Sequence, residues 1–427
     1  MRSPGPCRRP SGTASSTDLE PRAPEPVASS ITGNMKKLAV VISHPIQYHA
    51  PLYTRIARRG QFDLHVIYHN DRGVRSYFDP LANATVAYDN NLLDGYAHEF
   101  LTRGEPDGVT ARLQHALLPG LEERILAAKP DAVYFHGYSH IAHVRAAFQL
   151  ARAGVKIFLR GENEDVIPRP RWRVLLREMF LKQAFKRCAA FLWIGEENRN
   201  FYLRRGVPPH KLHFVPYSAD NTYFGIDLPE AERSAIRERV CRKHSIDPAS
   251  VIFVNICKHR IEKRPMDLIR AYVQAQGKLA GQHAATLLMV GDGPENVAMR
   301  QAVTASGVKG VCFTGFVKQS EMRELLLASD YCVNPGEEPW GCTFNEALPA
   351  GLGLISSDRV VGWPDMVRIG ENGFIHRCGC VDSLAAVLTQ CARNPQWRTK
   401  FTATSREVAR LYSYDTCVDG LHAALNA

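Results

Sequence analysis

The chain has 427 residues and a mass of 47.7 kDa, more than one hydrophobic core usually organises, which predicts two domains of roughly 150 to 200 residues each. Hydrophobic residues make up 45% and charged residues 22%, and no apolar run approaches the ~18 residues of a membrane-spanning helix. The net charge of +10 indicates an anionic partner, and by itself leaves nucleic acid, anionic lipid and a phosphorylated sugar donor open.

The first 34 residues differ in composition from the rest of the chain. Residues 1–34 contain six prolines, six serines and no hydrophobic periodicity, so we expect a disordered N-terminal extension. They also lack the roughly 7 to 15 residue apolar segment of a signal peptide. Eleven cysteines without paired metal-type spacing, apart from Cys378-Gly-Cys380, suit a reducing compartment. We therefore expect a cytoplasmic protein without a metal site.

From Met35 onward, short apolar runs alternate with segments of helical periodicity. Continuous apolar runs are typical of strands buried on both faces of a parallel sheet, and such βα units in series predict a doubly wound domain. The predicted strands are Leu38–Ile42, Asp63–Tyr68, Ala132–Phe135, Val155–Leu159 and Ala190–Ile194, and the predicted helices are Pro51–Arg59 and Gly120–Ala128.

A second series of βα units begins after the turn-rich stretch Pro216–Asp220, where we place the domain junction. The fold class predicted is α/β, with two Rossmann-like, doubly wound domains over residues 35–217 and 218–400 that face a central cleft. Ligands of open α/β sheets bind beyond the carboxyl ends of the strands. The predicted strands are Val251–Ile256, Thr286–Val290, Val311–Thr314, Tyr331–Val333 and Leu354–Ser356, with helices at Pro265–Gln276 and Ser320–Ala328.

A basic loop follows the first strand of the second domain. Lys258 and Lys263 lie five residues apart on it, and two cations at a strand end can converge on one diphosphate. A solvated basic loop is the alternative. Arg260 and Arg264 are expected to face solvent or the neighbouring domain.

Two further motifs follow in the second domain. Gly291 and Gly293 end the next strand, where glycine permits either a tight βα turn or a close approach by a ligand. Glu338 and Glu346 are separated by seven residues around a helix expected to begin near Cys342. The free amides at that helix end can receive phosphate oxygens, while the two glutamates can accept hydrogen bonds from sugar and ribose hydroxyls. Two ordinary acidic residues, one in a loop and one on a helix surface, are the alternative.

In order and in register, these motifs resemble the retaining family-4 glycosyltransferases of the GT-B fold, within the glycosyl transferases group 1. The similarity spans roughly Val215 to Phe374. Lysine stands at position 258, where the family more often has arginine, and keeps the charge without the bidentate fork. Glu338-Pro-Trp-Gly341 replaces the usual Glu-Gly-Phe-Gly, and the proline removes one amide donor.

The resemblance implies a role for each motif. Lys258, Lys263 and Glu338 are expected to act in catalysis, and the donor is expected to contact Glu346 together with Gly341, Cys342, Thr343, Gly291, Gly293, Phe316 and Val317. The backbone near the last two residues would recognise the base. The resemblance also implies that the C-terminal segment 401–427 crosses back onto the first domain.

The first domain offers weaker candidates. His44 and Tyr48 follow its first strand and are expected on the acceptor side, although the glycine-rich loop common in the family is missing there. His136 ends another strand at a position where many relatives have a cleft histidine or acid, so it is a candidate catalytic residue, with a structural role as the alternative. Arg160 and Glu162 end the next strand and are further acceptor-side candidates.

Residues 169–187 carry seven cations and one acid with apolar residues interleaved. A basic amphipathic helix can lie on an anionic membrane surface. The alternative is an ordinary Rossmann helix with its apolar side in the core. This helix favours a lipid-linked or membrane-proximal acceptor and a location at the inner face of the membrane.

The sequence thus predicts transfer of a hexose from a nucleoside-diphosphate sugar to a saccharide or lipid-linked acceptor, with retention, no cofactor, no metal and no nucleic acid. A nucleotide-sugar epimerase or phosphorylase on the same architecture and a non-catalytic nucleotide-sugar-binding protein remain alternatives. A nicotinamide-dependent enzyme is disfavoured because no Gly-x-Gly-x-x-Gly follows the first strand of either domain.

Overall fold

A computed structural model describes residues 35–79, 84–86, 88–89, 91–103, 117–137, 141–165, 171–280 and 285–427. The extension expected over residues 1–34 lies outside the described residues. In the first domain, the described elements follow in the order β1 Lys36–Ile42, α1 Ala50–Arg59, β2 Phe62–Tyr68, β3 Tyr77–Asp79, β4 Ala84–Val86, β5 Ala97–Phe100, α2 Leu121–Ala128, β6 Ala132–His136, α3 Ile141–Arg152, β7 Lys156–Arg160, α4 Arg171–Phe185, β8 Ala190–Trp193, α5 Glu196–Arg204 and β9 Leu212–Phe214. Helices and strands alternate except over the four consecutive strands β2 to β5.

The second domain continues the alternation. Its elements are α6 Glu230–His244, β10 Val251–Ile256, α7 Pro265–Leu279, β11 Ala285–Val290, α8 Asn296–Ser306, β12 Val311–Gly315, α9 Gln319–Ala328, β13 Tyr331–Asn334, α10 Cys342–Ala347, β14 Gly353–Ser357, α11 Trp363–Met366, β15 Gly373–His376, α12 Val381–Arg393, α13 Trp397–Leu411 and α14 Tyr414–Asn426.

Two parallel sheets organise these elements. Among the described residues, the first sheet has the strand order β5-β2-β1-β6-β7-β8-β9 and the second the order β12-β11-β10-β13-β14-β15, while β3 and β4 form a separate antiparallel pair. The inner strands are buried along most of their length, because helices cover both faces of a doubly wound sheet. The α/β fold of two Rossmann-like domains is therefore confirmed.

All ten predicted strands occur, with ends shifted by at most two residues. The prediction missed β5, β9 and β15, which are edge strands with half-exposed side chains. Histidine, glutamate or glycine interrupts the apolar residues in each of these three strands, so the continuous apolar run that marks the predicted strands, including the edge strand β12, is absent. The short pair β3 and β4 was missed for the same reason.

The C-terminal segment divides between the two domains. Helix α13 stays with the second domain, where Phe401 is buried and Ser405 Oγ donates to the carbonyl of Leu352 at 2.7 Å. Helix α14 packs on the first domain, and a Cβ at Gly420 would lie 1.9 Å from the Phe214 carbonyl oxygen. The predicted crossing segment 401–427 therefore starts too early, because α13 buries its apolar side against the second sheet and only α14 reaches the first.

Candidate functional site

The basic loop, defined as Cys257–Arg264, is held against the turn after β11. The amide of His259 donates to the Asp292 carbonyl at 2.9 Å and the amide of Cys257 to the Val290 carbonyl at 3.1 Å. Gly291 has φ +123°, and a Cβ there would lie 2.0 Å from the carbonyl oxygen of Cys257. A Cβ at Gly293, with φ +156°, would meet His259 backbone. Both glycines are thus required for the packing of the basic loop.

Lys263 and Glu338 form an ion pair at this edge of the second sheet. Lys263 Nζ lies 2.8 Å from Glu338 Oε1, and the same oxygen accepts from Asn334 Nδ2 at 3.0 Å. The two loops touch at Gly336, where a Cβ would lie 2.6 Å from Lys263 Cα. The structure therefore brings together Lys263, predicted to bind the diphosphate, and Glu338, predicted to bind the sugar.

Lys258 projects to the first domain instead. Its Nζ lies 2.6 Å from Asp79 Oδ2 on β3, and the carboxylate is 7% exposed against 46% for the lysine. Arg260 pairs with Glu262 and Arg264 with Asp267. Of the four cations of the basic loop, Lys258 is therefore the one that contacts the first domain in the described structure.

A cavity of about 260 Å³ opens beside Lys258, between the two domains. Its volume lies just below the ~300–1,000 Å³ usual for ligand pockets. The predicted donor residues Gly291, Phe316 and Val317 line it. First-domain residues also line it, namely Gln47, Tyr77, Asp79, Val86 and Tyr88. Gln47 lies in the predicted acceptor-side stretch between His44 and Tyr48, whereas no sequence pattern marked the other four residues, since β3 and β4 carry no apolar periodicity.

Glu346 lines a second cavity of about 250 Å³, which shares Gln47 and Gln319 with the first. Its carboxyl is 8% exposed, and burial raises its pKa from 4.5 to about 8. Burial therefore favours the neutral form of this carboxyl, which can both donate and accept hydrogen bonds. Tyr48, an acceptor-side candidate, lines the same cavity.

Helix α10 begins where the sequence predicted. Gly341 precedes it with φ +101°, and a Cβ there would lie 2.9 Å from a methyl carbon of Val360. Cys342 and Thr343 form its first turn. Burial, followed by the Glu162 and Glu338 carboxylates, raises the pKa of the Cys342 thiol well above its usual value.

Trp340 occupies the altered turn before that helix. It is 3% exposed, and its Nε1 donates to Asn345 Oδ1 at 2.7 Å. The ring lies against Gly195 of the first domain, where a Cβ would be 2.4 Å from the indole. The tryptophan therefore packs between the domains and stabilises the turn that follows Glu338.

His136 is surrounded by aromatic groups of the first domain. Its Nε2 lies 2.9 Å from the hydroxyl of Tyr53, and its ring centroid is 4.5 Å from those of Tyr134 and His49. Burial and then His49 lower its pKa well below the usual value, so the imidazole is neutral. The structure gives it a packed environment, and a catalytic role stays a prediction.

The other first-domain candidates, Arg160, Glu162 and His44, differ in their burial and in their contacts. Arg160 is buried, donates to Tyr134 and to the Pro216 carbonyl at 2.9 and 2.7 Å, and stacks on Tyr217. These contacts attach Arg160 to Pro216 and Tyr217 in the connection between the two domains. They account for the burial of Arg160 without any contact to an acceptor substrate. Glu162 is exposed and acts electrostatically on Cys342 across the cleft. His44 Nδ1 is hydrogen-bonded to Ser43 Oγ at 2.9 Å. Burial, followed by the charge of Arg72, lowers the pKa of the His44 imidazole to about 4.

The predicted basic segment 169–187 is described only in part. Residues 169–170 lie outside the described residues, and helix α4 covers Arg171–Phe185. Trp172 is 61% and Met179 64% exposed, whereas Leu181 and Phe185 are buried in the core. The helix therefore packs one side and exposes two large apolar side chains.

Two absences concern the described residues alone. Across the described ranges, no group of three or more His, Cys, Asp or Glu side chains could hold a metal ion, and metal independence stays a prediction. Within the same ranges, no helix is long and apolar enough to cross a bilayer.

Solved structures share this architecture. The chain is similar to a glycosyltransferase from Rickettsia africae ESF-5, with a TM-score of 0.66 and 13% identity, over 91% of this chain and 97% of that one. It is also similar to Anabaena Alr3699/HepE in complex with UDP, with a TM-score of 0.66 and 16% identity, over 91% of this chain and 98% of that one. The two facing domains thus have the GT-B fold of glycosyltransferases.

Sequence comparison identifies the second domain more closely. Residues 237–408 match the family model of the glycosyl transferases group 1. The chain is also similar to N-acetyl-alpha-D-glucosaminyl L-malate synthase of Bacillus anthracis, with 29% identity over 190 residues, 44% of this chain and 46% of the relative. The chain spans less than half the length of the curated relatives it matches.

Proposed function

We propose that the protein is a glycosyltransferase that transfers a hexose from a nucleoside-diphosphate sugar to an acceptor hydroxyl with retention, in polysaccharide or glycolipid biosynthesis. The observation that carries the proposal is the interdomain cavity beside Lys258. It joins the basic loop to the predicted base-binding residues Phe316 and Val317, and the Lys263–Glu338 pair belongs to the same sheet edge.

The proposed reaction breaks the bond between the sugar C1 and the donor phosphate oxygen, and the electron pair leaves with the nucleoside diphosphate. The acceptor oxygen forms the new bond at C1 on the same face, and its proton passes to the departing diphosphate. Lys258 and Lys263 stabilise the charge that develops there, each charge-assisted contact being worth roughly 1.5 to 3 kcal/mol. Glu338 would bind the sugar hydroxyls.

Uridine is the base we propose first, since Anabaena Alr3699/HepE was crystallised in complex with UDP and shares the fold. The acceptor would lie on the first-domain side, near Tyr48 and Glu162. We also propose that the reaction needs no divalent metal, because the two lysines supply the positive charge that a metal ion would otherwise bring to the diphosphate.

A peripheral membrane position is part of the same proposal. The exposed Trp172 and Met179 on helix α4 favour it, because apolar side chains beside cations suit the interface of an anionic bilayer. Co-sedimentation with phosphatidylglycerol vesicles tests this point, and equal binding to neutral phosphatidylcholine vesicles or none to either would contradict it.

A donor screen tests the proposed function. The full chain is incubated with UDP-, GDP-, ADP- and TDP-hexoses, with lipid-linked and soluble acceptors, in buffer containing a chelator. We expect acceptor-dependent release of one nucleoside diphosphate, and nuclear magnetic resonance of the product gives its anomeric configuration. Sugar isomerisation without acceptor would identify an epimerase, and saturable nucleotide binding without release would identify a binding protein.

A further inference from the structure

Four residues of the first domain form one side of the cavity beside Lys258. Tyr77, Asp79, Val86 and Tyr88 make up this first-domain wall. Successive side chains of a strand alternate between faces, and in β3 Tyr77 and Asp79 face the cavity while Phe78 between them is 60% exposed. The strand pair therefore presents one face to the cleft and the other to solvent.

The first-domain wall is tied to the second domain at two points. One is the 2.6 Å contact between Asp79 and Lys258. The other lies next to the wall at Asp89, the residue after Tyr88, whose carboxylate accepts from the amide and the hydroxyl of Ser320 in the first turn of α9, the amide at 3.2 Å. These contacts join the wall to the basic loop and to the helix that follows Phe316 and Val317.

The wall is also held on its own domain. Tyr77 and Tyr88 are hydrogen-bonded to each other, and the guanidinium of Arg72 lies 4.3 Å from the centre of the Tyr77 ring. Gly73, with φ +91°, lets the backbone pass so close that a Cβ would be 3.3 Å from the Tyr88 ring. The two rings are thereby positioned before a ligand binds, which lowers the entropic cost of binding.

The chemistry of this cavity suits a planar ring attached to an anion. Tyr88 and Val86 face Phe316, Val317 and Met322 across it, and Lys258 provides positive charge at one end. Phe316 is 40% exposed, so its ring is accessible. Aromatic side chains bind nucleic acid bases by stacking.

We infer that the first-domain wall, through Tyr88, binds the nucleoside of the donor, so that the nucleotide subsite is built from both domains. This inference rests on the proposed function. Nucleotide affinity then depends on Tyr88 of the first domain as well as on the motifs of the second domain.

The test measures binding of UDP and of inorganic pyrophosphate to the full chain by calorimetry. Tyr88→Ala is expected to weaken UDP binding about tenfold or more, since one stacking ring is lost, and to leave pyrophosphate binding within about twofold. Tyr88→Phe keeps the ring and is expected to retain UDP binding within about threefold. Phe78→Ala, on the solvent face of the same strand pair, is the matched control and is expected to bind UDP as wild type does.

Unchanged UDP binding in Tyr88→Ala would overturn the inference. So would an equal loss of UDP and pyrophosphate binding, because the wall would then merely support the basic loop. If the wild type itself binds neither UDP nor any nucleoside diphosphate of the donor screen, the proposed function fails and the inference fails with it. Wild-type binding combined with an unaffected Tyr88→Ala variant refutes the inference alone.

Discussion

Replacing Lys263 by alanine tests the electrostatic part of the proposed mechanism. The lysine is 27% exposed, and its Nζ is held 2.8 Å from Glu338. Removing it eliminates one charge-assisted contact to the leaving diphosphate, worth roughly 1.5 to 3 kcal/mol. At about 1.4 kcal/mol per factor of ten, turnover should fall roughly 10- to 150-fold.

The fold should survive the substitution. A partly exposed ion pair contributes about 0–1 kcal/mol to stability, and Glu338 keeps its hydrogen bond from Asn334. The melting temperature of Lys263→Ala should therefore stay within a few degrees of wild type. A stable but slow enzyme would assign the loss to the transition state and not to unfolding.

The assay is nucleoside diphosphate release under saturating donor, with kcat and KM determined separately. Loss of an interaction made with the departing charge lowers kcat more than it raises KM. Arg260→Ala is the matched control, because Arg260 belongs to the same loop but pairs with Glu262. Near wild-type turnover of Lys263→Ala would refute the assignment, as would an equal loss in Arg260→Ala.

Three further predictions concern the pH dependence, the interdomain ion pair and the glycine turn. Burial raises the pKa of Glu346 from 4.5 to about 8 in the folded protein. Between these two values the unfolded chain has lost the proton that the folded chain keeps, so the free energy of unfolding falls by roughly 1.4 kcal/mol per pH unit as the pH rises from about 4.5 to about 8. Thermal unfolding should show Glu346→Gln gaining stability relative to wild type from pH 5 to pH 8, and parallel curves would contradict this. Asp79→Asn removes the carboxylate that competes with a diphosphate for Lys258, and should tighten UDP binding about threefold; weaker binding in calorimetry would mean that Asp79 instead holds the lysine in place. Gly291→Ala forces a Cβ into the basic loop and should cost about 2 kcal/mol or more in chemical denaturation, whereas Gly277→Ala, which meets no atom within 4 Å, is the control and should not destabilise.

The central strands of both sheets could be predicted because burial on both faces leaves a continuous apolar run in the sequence itself. The basic loop and the turn with Gly291 could be located for a related reason, since each follows directly after such a strand. The edge strands β5 and β9 could not, because polar residues interrupt the apolar ones in Ala97–Phe100 and Leu212–Phe214 and no continuous run forms.

The contacts across the cleft could not be predicted from any local pattern. Lys258 and Asp79 are 179 residues apart in the chain, and the sequence near Asp79 has no periodicity that marks a binding surface. The ion-pair partners of the two lysines were likewise not predictable, since Lys258 contacts Asp79 of the first domain and Lys263 contacts Glu338. Which carboxylate each cation meets depends on how two domains face each other.

The sequence by itself therefore determined the α/β architecture, the order of the βα units and the positions of the basic loop and the two glutamates, because each of these depends on residues near one another in the chain. Only the tertiary structure decided the burial that raises the pKa of Glu346, the packing of Trp340 between the domains and the participation of Tyr88 in the cavity. The physical reason is that burial and electrostatics at a cleft depend on both of its walls, and the second wall comes from a distant part of the chain.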